Sequence, residues 1–208
     1  MKSNHKNHET LKGLPEGVAK LQDRIFDNLP NSFAKEFPLK FIAACHKSKG
    51  KISDDITKKF FSWLLTEELA HIYEKQSDTY KNAIEQCVQA VNNDAADAAA
   101  ASDAADAASD AAAAASYAAR VAAAAAADAD AARDASDAAA AATYASYAAA
   151  AASFAALGGR YAARAIETAS YASYDVHART ASDAARDAGF NFWIRMSNKL
   201  ISIIEELN

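Results

Sequence analysis

Residues 103–117, DAADAASDAAAAASY, return 27 positions later as DAARDASDAAAAATY at residues 130–144, with twelve of fifteen letters unchanged. The same interval carries TYASY (143–147) onto SYASY (170–174), so Tyr117, Tyr144 and Tyr171 mark three units of one repeat. How these units are laid out in space decides the fold. From Asp94 to Leu157 the chain holds neither glycine nor proline. Most of that stretch is alanine, the strongest intrinsic helix former, so it reads as helix and not as a disordered low-complexity tract. At about 100° per residue, 27 residues turn a continuous helix through roughly 2700°, which puts equivalent residues on opposite sides. One long rod would therefore have no coherent face. Separate helices folded back on one another would have one, with breaks at Asp128-Ala129-Asp130, Gly158-Gly159 and Gly189.

Inside each unit alanines recur at alternating steps of four and three. Ala104, Ala108, Ala111, Ala115, Ala118, Ala122 and Ala125 form one stripe; Ala131, Ala135, Ala138, Ala142, Ala145, Ala149 and Ala152 form the other. The spacing predicts that these are the inward faces of an alanine zipper, in which methyl groups let two backbones approach closely and gain many small dispersion contacts. Asp103, Asp110 and Tyr117, and likewise Asp130, Asp137 and Tyr144, lie seven apart on the opposite side.

Working outward, residues 1–13 are polar and read as a disordered terminus, and residues 14–208 as one helical domain. Within it, 14–92 is a conventional helical subregion. Leu14, Val18, Leu21, Ile25 and Leu29 predict a first helix between Pro15 and Pro30, and a second short one should begin near Pro38 and stop at Gly50. A third should start after Ser53, with Ile56, Phe60, Leu64, Leu65, Leu69 and Ile72 as its stripe, and a fourth from about Asp78 carries Tyr80, Ile84, Cys87 and Val91. Residues 94–188 supply the Ala-rich repeat helices, and 190–207 a closing amphipathic helix with Phe190, Phe192, Trp193, Met196, Leu200, Ile203, Ile204 and Leu207. Phe154, Leu157, Ile166 and Val176 complete the expected core. The fold class that follows is all-α: an antiparallel helical bundle with an alanine-zipper array of long Ala-rich helices.

Charge is divided unevenly. Residues 1–93 carry thirteen lysines and one arginine against twelve acids, whereas 94–157 carry nine aspartates against Arg120 and Arg133. That sign argues against nucleic acid as a partner, and the diluted lysines read as solvated exterior. No segment suits a bilayer: the alanine run 122–127 is short and meets Asp128 and Asp130 at once. Two cysteines at unrelated spacing, with no leader sequence, point to a reducing cytoplasmic setting. Glu68 and His71 have the spacing of half a di-iron site, but no second Glu-x-x-His exists, and Cys45-His46 are adjacent where metal ligands would be spaced. Neither metal nor cofactor is expected, and no catalytic constellation emerges, so the chain reads as a non-enzyme. The acidic rows with their tyrosines either solubilise methyl-covered helices or steer a basic partner; the candidate partner-binding residues are Asp103, Asp106, Asp110, Tyr117, Asp130, Asp134, Asp137 and Tyr144. An ice-binding face is the structural alternative, but the eleven-spaced set Asp110, Val121, Ala132, Thr143 and Phe154 is chemically mixed.

The segment FPLKFIAACHKSKGKIS (37–53), the SYAA and TYAS elements of the repeat and the closing FWIRMSNKLISIIEEL (192–207) together resemble a family of Ala-rich helical immunity proteins found beside bacterial polymorphic toxins. The resemblance implies a cytoplasmic inhibitor that occludes a toxin domain, and the residue reading agrees in sign, since an acidic surface suits stoichiometric masking of a basic one. Exposed alanine stripes also leave a homodimer open.

Overall fold

The computed structural model describes residues 14–48, 51–73, 76–93, 98–126, 128–158, 161–174 and 182–207; the expectations for residues 1–13, Val176 and the Phe190 side chain lie outside what it describes. Alanine dominates its longest elements, α6 (Ala98–Ala125) and α7 (Ala129–Ala156). Before them come α1 (Glu16–Asn28), α2 (Asn31–Lys47), α3 (Asp55–Trp63), a π turn (Leu64–Glu68), α4 (Ala70–Tyr73) and α5 (Asp78–Asn93); after them come α8 (Ala162–Tyr174) and α9 (Ser182–Glu205). The described residues form an all-α bundle without a strand.

The repeat is folded as a hairpin, not a rod. Asp128 makes the break: its backbone is extended (φ −133, ψ 163) and its carboxylate accepts from the N–H groups of Asp130 and Ala131, satisfying donors that the first turn of α7 leaves unpaired. At the other end Gly158 takes φ 87, the left-handed conformation that ends a helix at little cost only without a Cβ. The third expected break is absent, because α9 begins at Ser182 and runs through Gly189. A lone glycine weakens a helix by about 1 kcal/mol but does not stop one whose later turns are anchored by buried Phe192, Trp193, Met196 and Leu200.

The seam does not follow the predicted alanine stripe of α6, whereas Ala145, Ala149 and Ala152 of the stripe on α7 are fully buried. In α6 the buried residues are Ala101, Ser102, Ala105, Ala112 and Ser116, whereas Ala111, Ala115, Ala118, Ala122 and Ala125 of the expected stripe are exposed. The seam is marked by hydroxyls seven residues apart. Ser102 Oγ lies 2.9 Å from Ser153 Oγ, Ser109 Oγ 3.1 Å from Ser146 Oγ, and Ser116 Oγ 2.7 Å from Thr143 Oγ1. Alanine rows are interchangeable, so methyl packing alone would leave the two helices free to rotate and slide. Each hydroxyl pair, buried at Ser102–Ser153 and part-buried at the other two, selects one face and one register at about 1 kcal/mol.

Elsewhere the expected elements form, with two local surprises. Pro38 lies inside α2 rather than at its start. Buried Phe37 and Phe41, with rings 5.9 Å apart, fasten the helix to the core on both sides of the proline and outweigh its missing N–H. In the π turn Leu69 N–H donates to the Leu64 carbonyl, five residues back, so one extra residue is accommodated and Leu64, Leu65 and Leu69 are all fully buried. Helix α9 packs on α1, α2, α3 and α8; α8 packs on α7; and α5 supports the inner half of the hairpin. The outer half has no such cover. Among the described residues between 111 and 142 only Ala112, Ser116 and Ala139 are buried, which makes this part a two-helix arm.

Candidate acidic interaction surface

The hairpin register places each aspartate. Asp103, Asp106 and Asp110 project from the inner half of α6, and all three are exposed. At about 100° per residue they and Tyr117 sit to one side of the seam row Ser102, Ser109 and Ser116. Tyr117 is 72% exposed, and Val121, one turn on, is 52% exposed. None of the three aspartates forms an ion pair among the described residues. Together these side chains make one ridge, acidic at its base and apolar toward the arm.

Asp130, Asp134 and Asp137 are also exposed, but they belong to the outer half of α7 and point to its back, away from the seam. With Ser109 opposite Ser146, antiparallel pairing sets Asp130 level with the end of α6. At a rise of 1.5 Å per residue, the axial gap is then about 12 Å from Asp110 to Asp137 and about 33 Å from Asp103 to Asp130. The two acidic rows therefore do not form one patch, because the repeat that makes them alike in sequence runs in opposite directions in space. Asp130 is engaged with Arg133, one turn away at 3.0 Å. Tyr144 is half-buried. The mixed set Asp110, Val121, Ala132, Thr143 and Phe154 likewise forms no common face, since Thr143 turns into the seam toward Ser116 and donates to the Ala139 carbonyl at 2.9 Å.

Other polar residues are occupied structurally. Glu68 receives a two-pronged Arg195 guanidinium, with Nε at 3.1 Å and Nη2 at 2.5 Å, which ties α9 to the π turn. Neither residue's partner could be inferred from spacing, because they are 127 positions apart. The Tyr80 hydroxyl donates to the Ala145 carbonyl at 2.5 Å, fixing α5 on α7, and burial pushes its pKa upward. The Cys87 thiol donates to the Ala101 carbonyl at 3.2 Å. Burial, reinforced by the nearby charge of Asp106, raises its pKa to about 12, so it is a structural thiol and not a ready nucleophile. Among the described residues no three His, Cys, Asp or Glu side chains converge as metal ligands would. A groove of about 470 Å³ lies between α5 and α6, and its lining includes Tyr80, Asn82, Gln86 and Ala108. No helix of the described residues is long and apolar enough to cross a membrane. No known protein-family model, curated protein or solved structure gives a significant match to this chain.

Proposed function

We propose that the chain is a stoichiometric protein-binding inhibitor of the immunity type, masking a basic toxin domain with the outward ridge of α6. The observation that carries this reading is the set of three exposed aspartates, Asp103, Asp106 and Asp110, without an ion pair among the described residues and followed along the same helix by exposed Tyr117. Carboxylates without internal partners steer a cationic surface, and an exposed tyrosine beside them supplies the apolar contact that fixes it. Asp130, Asp134 and Asp137 contribute only to the long-range field, because they lie on another face. The rigidity of a hairpin held by hydroxyl pairs favours such a role, since little order is lost on docking.

The test is capture of proteins from the native cell with the whole chain as bait, repeated with Asp103→Asn/Asp106→Asn/Asp110→Asn. A basic protein bound in one-to-one ratio is expected. It should be lost with the variant and at about 0.5 M salt, where screening shortens the reach of charge to a few ångströms. Equal capture by the variant, with its helical signal intact, would dispose of the assignment.

A further inference from the structure

We propose that the groove between α5 and α6 holds an extended basic segment of the partner protein, with its main chain on the α5 wall and its Lys or Arg side chains on the α6 ridge. The groove, about 470 Å³, has a floor of methyl groups that includes Ala104, Ala107, Ala108 and Ala111, and a wall on α5 that includes Thr79, Asn82 and Gln86. Those three polar residues are exposed and lie three and four positions apart, so they stand in one row along the helix. Neither amide has a hydrogen-bond partner among the described residues. On the other side Asp103 and Asp110 flank Ala107, four residues before it and three after, and form the rim. The Cys87 thiol reaches the Ala101 carbonyl, and the groove is walled by residues before Cys87 and after Ala101, so the two helices run antiparallel. To within a residue, that register sets Gln86 level with Asp103, Asn82 with Ala107 and Thr79 with Asp110.

Charge names the occupant. Asp103 and Asp110 form no ion pair among the described residues. Lys81 lies on the opposite side of α5 from the row Thr79, Asn82 and Gln86, and Arg120 of α6 is nine residues, about 13 Å, beyond Ala111. Among the described residues of α5 and α6, a cation brought to the rim therefore meets no competing cation. The amides decide the form of the segment that carries it. A helix has its own N–H and C=O groups paired and leaves Asn82 and Gln86 to water, whereas an extended chain offers unpaired donors and acceptors, and each carboxamide can meet one of each kind. Asp103 and Asp110 are about 10.5 Å apart along the helix axis, the length of about three extended residues, so two Lys or Arg side chains at that separation reach both carboxylates. The methyl floor lets the main chain settle close to α6. This inference rests on the reading of the α6 ridge as the surface for a basic protein, and adds which part of that protein it takes.

The probe is a fluorescently labelled peptide of Lys-Gly-Lys-Ser repeats, basic and without helical preference, titrated with the full chain at low salt and followed by anisotropy. Saturable binding is expected, weakened at about 0.5 M salt. Three variants of exposed residues divide the site: Asp103→Asn/Asp110→Asn removes the carboxylates, Asn82→Ala/Gln86→Ala removes the amides, and Ala107→Leu fills the floor. All three should keep the parent's circular dichroism, and each should weaken binding about tenfold or more. The same peptide N-methylated at alternate residues keeps its charge but loses N–H groups, and it should bind the parent chain about tenfold more weakly. Undiminished binding by the amide variant or by Ala107→Leu, or undiminished binding of the N-methylated peptide, overturns the proposal, as does failure of the parent chain to bind the peptide at all. If in any of those cases the chain still captures a basic protein from the native cell and loses it with Asp103→Asn/Asp106→Asn/Asp110→Asn, the groove fails while the reading of the ridge stands.

Discussion

The hydroxyl seam makes a quantitative prediction that separates it from simple methyl packing. Ser102 and Ser153 are 5% and 2% exposed and lie 2.9 Å apart, far from each other in sequence. Ser102→Ala leaves the Ser153 hydroxyl without its partner. The loss is partial, because a helical serine can turn back to the carbonyl four residues earlier, so each single substitution should cost about 1 kcal/mol. Removing both hydroxyls leaves two methyls in a seam already made of methyls, and the double variant should fall within about 0.5 kcal/mol of the parent. The gain in helix propensity from alanine enters each single substitution and its counterpart in the double equally, so it cancels in the cycle. The coupling, about 1–2 kcal/mol, therefore reports the pair itself. Urea unfolding followed by helical circular dichroism reads it directly. With a slope of about 2–3 kcal/mol per molar, each single should lower the midpoint by about 0.3–0.5 M, while the double returns close to the parent. Additive losses, with the double the worst of the three, would refute the view that these serines recognise one another.

Three further outcomes follow from the same geometry. Ala112→Leu at the buried seam should cost about 1–3 kcal/mol by wedging the helices apart, whereas Ala114→Leu on the exposed side should stay within about 0.5 kcal/mol; comparing their thermal midpoints checks the corrected face. Gly158→Ala meets no atom within 4 Å of the new Cβ, so its cost, about 1–2 kcal/mol, should come from the φ of 87 alone and be smaller for Gly158→Asn. Cys87 in the folded chain holds its proton to about pH 12 from an ordinary 9.0, so the unfolded state loses that proton first as pH rises. Stability should then fall by about 1.4 kcal/mol per pH unit for this group above pH ~9, and Cys87→Ala should flatten the slope between pH ~9 and ~10, below the range where Tyr73 and Tyr80 begin to matter. An unchanged slope in that variant would show that the thiol is not the group responsible.

What could be read from the chain depended on which letters carried information. The 27-residue repeat and its glycine-free span were enough to give a hairpin over a rod, since helical rotation alone separates those alternatives. Rotation could not give the inward face, because in a run such as Ala111–Ala115 every candidate stripe scores alike. The discriminating residues are the rarer ones. Ser102, Ser109 and Ser116 are seven apart, and Ser146 and Ser153 repeat that interval, yet serine on an alanine helix resembles polar filler until its partner is known. The same blindness affected the aspartates. Sequence alignment stacks Asp103 on Asp130 and Asp110 on Asp137, but antiparallel folding reverses one row against the other, so similarity in the repeat implies separation in space. An acidic row therefore has to be judged one helix at a time, and by that standard α6 retains a coherent charged ridge while α7 divides its acids between an internal pair with Arg133 and the back of the arm.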